Sequence, residues 1–263
     1  MKQIHIHITI GEHLIQVTTV SLNLMNMFKR NFHCSPVASE IQPDILIHIE
    51  EGYGVPFVNY EVEIIKEANR ICFRRADYLI EVDSIYQNAR ISVCDELALK
   101  HALIHLYSSY IIYKNWGLLL HSSCVIENGK AHIFAGRSGA GKSTAAGLSY
   151  PRELLSDEAT LVKITSDQIT VFNSPFRSEL AVTGTEKCAP LASIQLLYQA
   201  QQNKRIPLAK SAGLLELMDK VFYWAHEPVE TGRILKFMRE LANAVPIYEL
   251  YFQKNHTFWE LIS

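Results

Sequence analysis

The stretch Gly136-Arg137-Ser138-Gly139-Ala140-Gly141-Lys142-Ser143-Thr144 constrains this chain more than any other, because it spells a complete phosphate-binding loop. Such a loop wraps an anion with inward-pointing backbone N–H groups, in conformations that a Cβ obstructs, and its glycines meet that demand. The apolar run Ala131-His132-Ile133-Phe134-Ala135 before it reads as a strand, and a helix is predicted to start near Lys142. In that setting Lys142 reaches the β and γ oxygens of a nucleoside triphosphate and Ser143 offers a hydroxyl to Mg²⁺. The other residues from Gly136 to Thr144 hold phosphate through the backbone. A glycine-rich turn without a nucleotide is the bland alternative, against which the Lys-Ser pair and the preceding strand both count.

Composition narrows the field. With 263 residues and 48% apolar content, the chain has enough core for one large domain or two modest ones. A formal net charge of −2 leaves no electrostatic footprint for nucleic acid or for an anionic membrane, so neither is expected as a partner. No apolar stretch approaches a membrane span and the amino terminus lacks a signal-peptide core, so a cytoplasmic location is expected. Cys34, Cys72, Cys94, Cys124 and Cys188 show neither a CxxC pair nor a zinc-like spacing and are expected as reduced, mostly core thiols. The sequon Asn255-His256-Thr257 reads as a helix start.

The expected fold class is α/β in two parts: an α+β module over residues 1–95 and a phosphate-loop domain over 96–263 with a mixed sheet and flanking helices. Strict alternation over Ile4–Ile10 predicts a strand, with further strands at 44–49, 70–74, 78–82 and 89–93 and a helix at 22–32. His5 and His7 share one strand face, which a polar sheet surface explains better than a metal. Leu99, Leu103, Leu106 and Tyr110 recur at helical steps, predicting a long amphipathic helix over 95–116 near the boundary. A hairpin turning at Asn128-Gly129 then leads into the phosphate loop. Strands follow at 160–164, 168–172, 194–198 and 247–252, with helices at 213–224 and 230–244 and a short closing helix.

Leu154-Leu155-Ser156-Asp157-Glu158 is the second informative feature, an apolar lead-in ending in two acids shortly after Ser143. A short helix between loop and carboxylates places Asp157 and Glu158 at a strand end facing the loop. One can then take a proton from an attacking hydroxyl while the other contacts a metal or a loop cation; a solvated acidic turn is the alternative. His121 ends an apolar strand upstream, where a histidine is ordinarily structural, and a place at the nucleotide site is the other reading. After a later strand, Arg177 is a candidate to stabilise charge on a transferring phosphoryl group, and Glu179 a candidate to complete the metal shell.

In their order, His121, the hairpin, Gly136 to Ser143, Asp157-Glu158 and a Pro-Phe loop with Glu179 resemble the catalytic domain of bacterial HPr kinase/phosphorylase over roughly residues 117–190. The resemblance implies Asp157 as the base that activates a serine hydroxyl, Glu158 as its partner and His121 as a phosphate-side group. The second acid is aspartate in the bifunctional enzymes and glutamate here, and their carboxy-terminal signature has no counterpart in this chain. The whole-chain layout is closer in style to HPr-kinase-like proteins of gene clusters for ribosomally made peptides, including lasso-peptide precursor kinases. The Leu120-His121-Ser122-Ser123 run and the segment Val245-Pro246-Ile247-Tyr248-Glu249-Leu250 carry that likeness.

The expectation is an ATP- and Mg²⁺-dependent kinase acting on a serine of a peptide or small protein, possible as a homo-oligomer, its amino-terminal module docking the acceptor by a sheet edge. A kinase of free serine or another small hydroxyl metabolite, and a non-catalytic nucleotide-binding regulator, are the alternatives.

Overall fold

The computed structural model describes the chain except residues 1–2, 38–40, 179, 181–184 and 225. It divides into two compact units, Met1–Tyr113 and Lys114–Ser263, each built on its own sheet, so the fold is mixed α/β.

The first unit holds strands β1 (Ile4–Ile10), β2 (His13–Thr19), β3 (Cys34–Ser35), β4 (Ile45–Glu51), β5 (Glu63–Lys66), β6 (Arg70–Arg74), β7 (Tyr78–Asp83) and β8 (Asn88–Val93), with helices α1 (Leu22–Asn31) and α2 (Glu96–Tyr113). The strands form one sheet in the order β3-β1-β2-β4-β8-β7-β6-β5. Pairings β2–β4 and β4–β8 are parallel and the others antiparallel. Alternation fixes which face is buried: Ile8, Ile15, Val17, Ile45, Ile49, Ile80, Ile91 and Val93 are all sealed from solvent. On β1, His5 pairs with the Thr18 hydroxyl and His7 with the Gln16 amide across the β1–β2 ladder, at 3.0 and 3.3 Å. Arg75 is buried and donates two hydrogen bonds to the Asp77 carboxylate (2.6 and 2.8 Å), with a third contact to His101 Nδ1 at 2.7 Å.

The long helix departs from expectation. It is not amphipathic: every residue from Ala102 to Ile112 is buried, His105, Ser108 and Ser109 included. It packs on β7 and β8 and belongs to the first unit. The cysteines also differ, since Cys72 and Cys124 are buried, Cys34 and Cys94 half-buried and Cys188 exposed, all as free thiols.

The second unit comprises β9 (Gly117–Glu127), β10 (Lys130–Ala135), α3 (Lys142–Leu148), β11 (Glu153–Ser156), β12 (Ala159–Ile164), β13 (Ile169–Phe172), β14 (Cys188–Gln199), β15 (Lys204–Pro207), α4 (Lys210–Met218), α5 (Pro228–Ala244), β16 (Ile247–Phe252) and a 3₁₀ turn over His256–Leu261. Two long strands organise it by changing partners along their length. β9 pairs with β12 through its first half and with β10 and β11 through its second; β14 pairs first with β13, then with β10 and β16. β10, β14 and β16 run parallel, so their carboxyl ends share one edge of the sheet, the edge at which α/β folds expose ligand sites. Asn255 starts the closing turn as expected, its side chain accepting from Thr257 N at 3.0 Å.

The helix expected over 213–224 instead ends at Met218. Beyond Asp219 the chain straightens and bonds to β9: His121 N donates to Lys220 O at 2.6 Å, Phe222 N donates to Leu119 O at 2.9 Å, and Val221 bridges Leu120. Val221-Phe222-Tyr223-Trp224 is a β-branched and aromatic run, for which a sheet edge is a better fit than a further helical turn. No helix among the described residues is long and apolar enough to cross a membrane.

Candidate active site

Strand register brings the pieces together. Ala135 at the end of β10 lies opposite Ser122 on β9, so the phosphate loop leaves the sheet beside His121. On the other side of β9, His121 lies opposite Ala159, which puts Asp157 and Glu158 at the same edge. Two buried hydroxyl bonds lock this junction: Ser122 Oγ donates to Thr160 Oγ1 at 2.7 Å, and Ser123 Oγ donates to Lys142 O at 3.0 Å.

The loop adopts conformations that only glycine takes easily. Gly139 has φ 76° and Gly141 φ 104°. A Cβ at Gly141 would also come within 2.8 Å of the Phe252 ring, at the end of β16. Beneath the loop, Phe252 joins Phe134, Phe258 and Trp259 in the core that seats Ala145 and Ala146 of α3. Trp259 Nε1 donates to Ser149 Oγ at 2.9 Å just past that helix, and Gln199, at the end of β14, donates to Gly139 O at 2.8 Å. The loop is therefore held by the ends of all three parallel strands.

An open cleft of about 370 Å³ faces it, lined by His121, Ser138, Gly139, Gly141, Lys142, Ser143, Thr144, Asp157, Glu158, Ser178 and Gln199. Lys142 arches over the loop, Nζ donating to Gly136 O and Arg137 O at 3.3 and 3.4 Å. Burial lowers its pKa, the nearby Lys220 adds to that, and Glu158 opposes it. His121 is pushed down to about 4 by burial and then by Lys142 and Lys220, so it is neutral at physiological pH. Its ring packs 5.5 Å from that of Phe222.

Asp157 is buried at the cleft, and the loop that follows β13 binds its side chain. It accepts from Ser178 N (3.1 and 3.2 Å to its two oxygens), Ser178 Oγ (2.9 Å) and Leu180 N (2.9 Å). Arg177 does not line the cleft. Its guanidinium turns away to donate to Ser174 O, Leu154 O, Leu155 O and Asn173 Oδ1 at 2.7–3.1 Å, fastening the loop to β11. Glu179 lies outside the described residues.

The structure thus gathers His121, Lys142, Ser143, Asp157 and Glu158 around one cleft and leaves Arg177 beneath it. Three contributors escape sequence reading. Ser178 and Gln199 carry no motif. Lys220, nearly buried beside Gly136 and Arg137 and paired with the exposed Asp219, was hidden by its assignment to a helix.

A phosphate loop at the carboxyl ends of parallel strands, with two acids delivered to its face by an adjacent strand, defines a phosphate-loop protein of mixed α/β architecture. The family model of the SynChlorMet cassette protein ScmC matches residues 92–263, and the chain belongs to that family. That stretch takes in α2 together with the whole second unit. No curated protein matches the chain. Among solved structures, one described as the HPr(Ser) kinase/phosphatase from Coxiella burnetii is similar at 14% identity over 35% of this chain, with a TM-score of 0.25. The match spans 64% of that protein's length, and a likeness of this size carries no inference about activity.

Proposed function

We propose that this protein is an ATP-dependent kinase that transfers the γ-phosphoryl group to a serine hydroxyl of a peptide or small protein, with a lasso-type precursor peptide as the leading acceptor. One observation carries the reading: a buried, hydrogen-bonded carboxylate, Asp157, shares a cleft with the Lys142-Ser143 pair of an intact phosphate loop. A protein that only binds nucleotide has no use for a base across from the phosphates.

The residues fit the groups this chemistry uses. Gly139 and Gly141, at φ 76° and 104°, give the loop the backbone turns that a polyphosphate cradle uses. The Ser143 hydroxyl and the Glu158 carboxylate are hard oxygen donors of the kind Mg²⁺ takes. Bound there, Mg²⁺ supplies charge neutralisation between the β- and γ-phosphates. Lys142 offsets charge on the γ-phosphoryl oxygens, Asp157 receives the acceptor's proton, and neutral His121 offers a ring N–H without adding charge. The first unit then offers its edge strand β5 to an extended acceptor, in line with its place at the end of the sheet.

The test is full-length protein incubated with Mg-ATP and a panel of free serine, an HPr-like protein and lasso-type precursor peptides, read by mass spectrometry. The expected product is a phosphoserine peptide, with Lys142→Ala slower by about 10²–10³-fold. Product on free serine alone would replace this reading with that of a metabolite kinase, and undiminished transfer by Lys142→Ala would remove the phosphate loop from it.

A further inference from the structure

We infer that Ser178 is a phosphorylation site of this protein, modified in cis by its own cleft; the inference rests on the kinase reading above. Ser138 and Ser143 also line the cleft, but they belong to the phosphate loop itself. Ser178 lines the cleft from the loop after β13, and its Oγ donates to Asp157 Oδ2 at 2.9 Å, within the range over which a general base takes a proton. Ser178 is an exposed residue that lines the cleft, and its hydroxyl proton points into the carboxylate. The geometry is that required of an acceptor hydroxyl, and the chain supplies it from its own loop.

The backbone keeps it there. Ser178 N donates to both Asp157 oxygens, Leu180 N donates to Oδ2 at 2.9 Å, and Arg177, one residue earlier, is fastened to β11 by two bonds and to Asn173 and Ser174 by two more. Any serine arriving on another molecule has to displace Ser178 Oγ from Asp157. In the intramolecular step Ser178 Oγ bonds to the γ-phosphorus of ATP as the bond from that phosphorus to the β–γ bridging oxygen breaks. ADP leaves with that electron pair and the hydroxyl proton passes to Asp157. Once Asp157 has released that proton, the product places a dianion against a carboxylate, and this repulsion drives Ser178 off Asp157, opening the base to an outside acceptor.

Purified full-length protein, first treated with a phosphatase, is incubated with Mg-ATP alone, and its intact mass and peptide map are recorded. The expected result is a gain of one phosphoryl group located on Ser178, at a rate independent of protein concentration. Ser178→Ala should lose it, Ser178→Thr should keep it at that position, and Asp157→Asn should slow it by about 10²-fold or more. No gain, or a gain at another residue, in protein that still phosphorylates a panel acceptor overturns this inference and leaves the kinase reading intact. Protein that binds no nucleotide and modifies neither itself nor any acceptor overturns both.

Discussion

Two glycines six residues apart behave oppositely, and the difference is conformational. Gly141 has φ 104° and faces the Phe252 ring, whereas Gly147, inside α3, has open space where its Cβ would lie. Gly141→Ala is expected to cost about 2–3 kcal/mol from backbone strain and the clash. Gly147→Ala should stabilise by about 0.5–1 kcal/mol, because alanine loses less freedom in a helix. Denaturant melts of the two variants check the pair, and equal effects would mean that the loop conformation described here is not the native one. Lys220 belongs to the same scale: with Lys142 it makes a second positive charge at the loop and holds down the His121 pKa.

At the level of elements, the loop after β13 owes its place to Arg177. Removing that guanidinium leaves the carbonyls of Leu154, Leu155 and Ser174 and the Asn173 amide oxygen without a donor they now have. Arg177→Met is therefore expected to destabilise the protein by about 2–4 kcal/mol in urea unfolding, and a negligible change would show that the loop is anchored elsewhere. Sequence alone misses this because the partners are backbone carbonyls, which no residue pattern displays. What was legible had a periodic or motif signature: the alternation of β1, the β9–β10 hairpin, the phosphate loop and the acids after β11. The short strands β3, β5 and β15 carry too few residues for alternation to register. α2 hid its burial because polar His105, Ser108 and Ser109 sit among its buried residues, mimicking a wet face. Lys220 is invisible to a helical reading of 213–224, because Val221 to Trp224 favour a strand.

For the whole molecule, one buried and two half-buried histidines make stability fall in acid. His101 in the first unit and His121 and His132 in the second are each lowered to about 4 from an ordinary 6.5, by burial first and then by neighbouring cations: Arg75, Lys142 and Arg205 respectively lead those charges. Between those values the unfolded chain binds protons that the folded chain refuses. Stability is therefore complete above about pH 6.5 and declines as pH falls toward 4. Thermal melts across that interval should show a falling Tm, and His132→Gln should flatten the decline; a Tm that holds steady would place these rings in wetter surroundings.

The floor of the phosphate loop has a bearing on how the protein is made. Phe252, Phe258 and Trp259 support Gly141 and α3, yet they leave the ribosome long after the loop they support. Synthesis proceeds from the amino terminus, and segments wait for their packing partners. A nascent chain that already displays every letter of the motif thus has no formed cradle, and the site is completed only when β16 and the closing turn arrive.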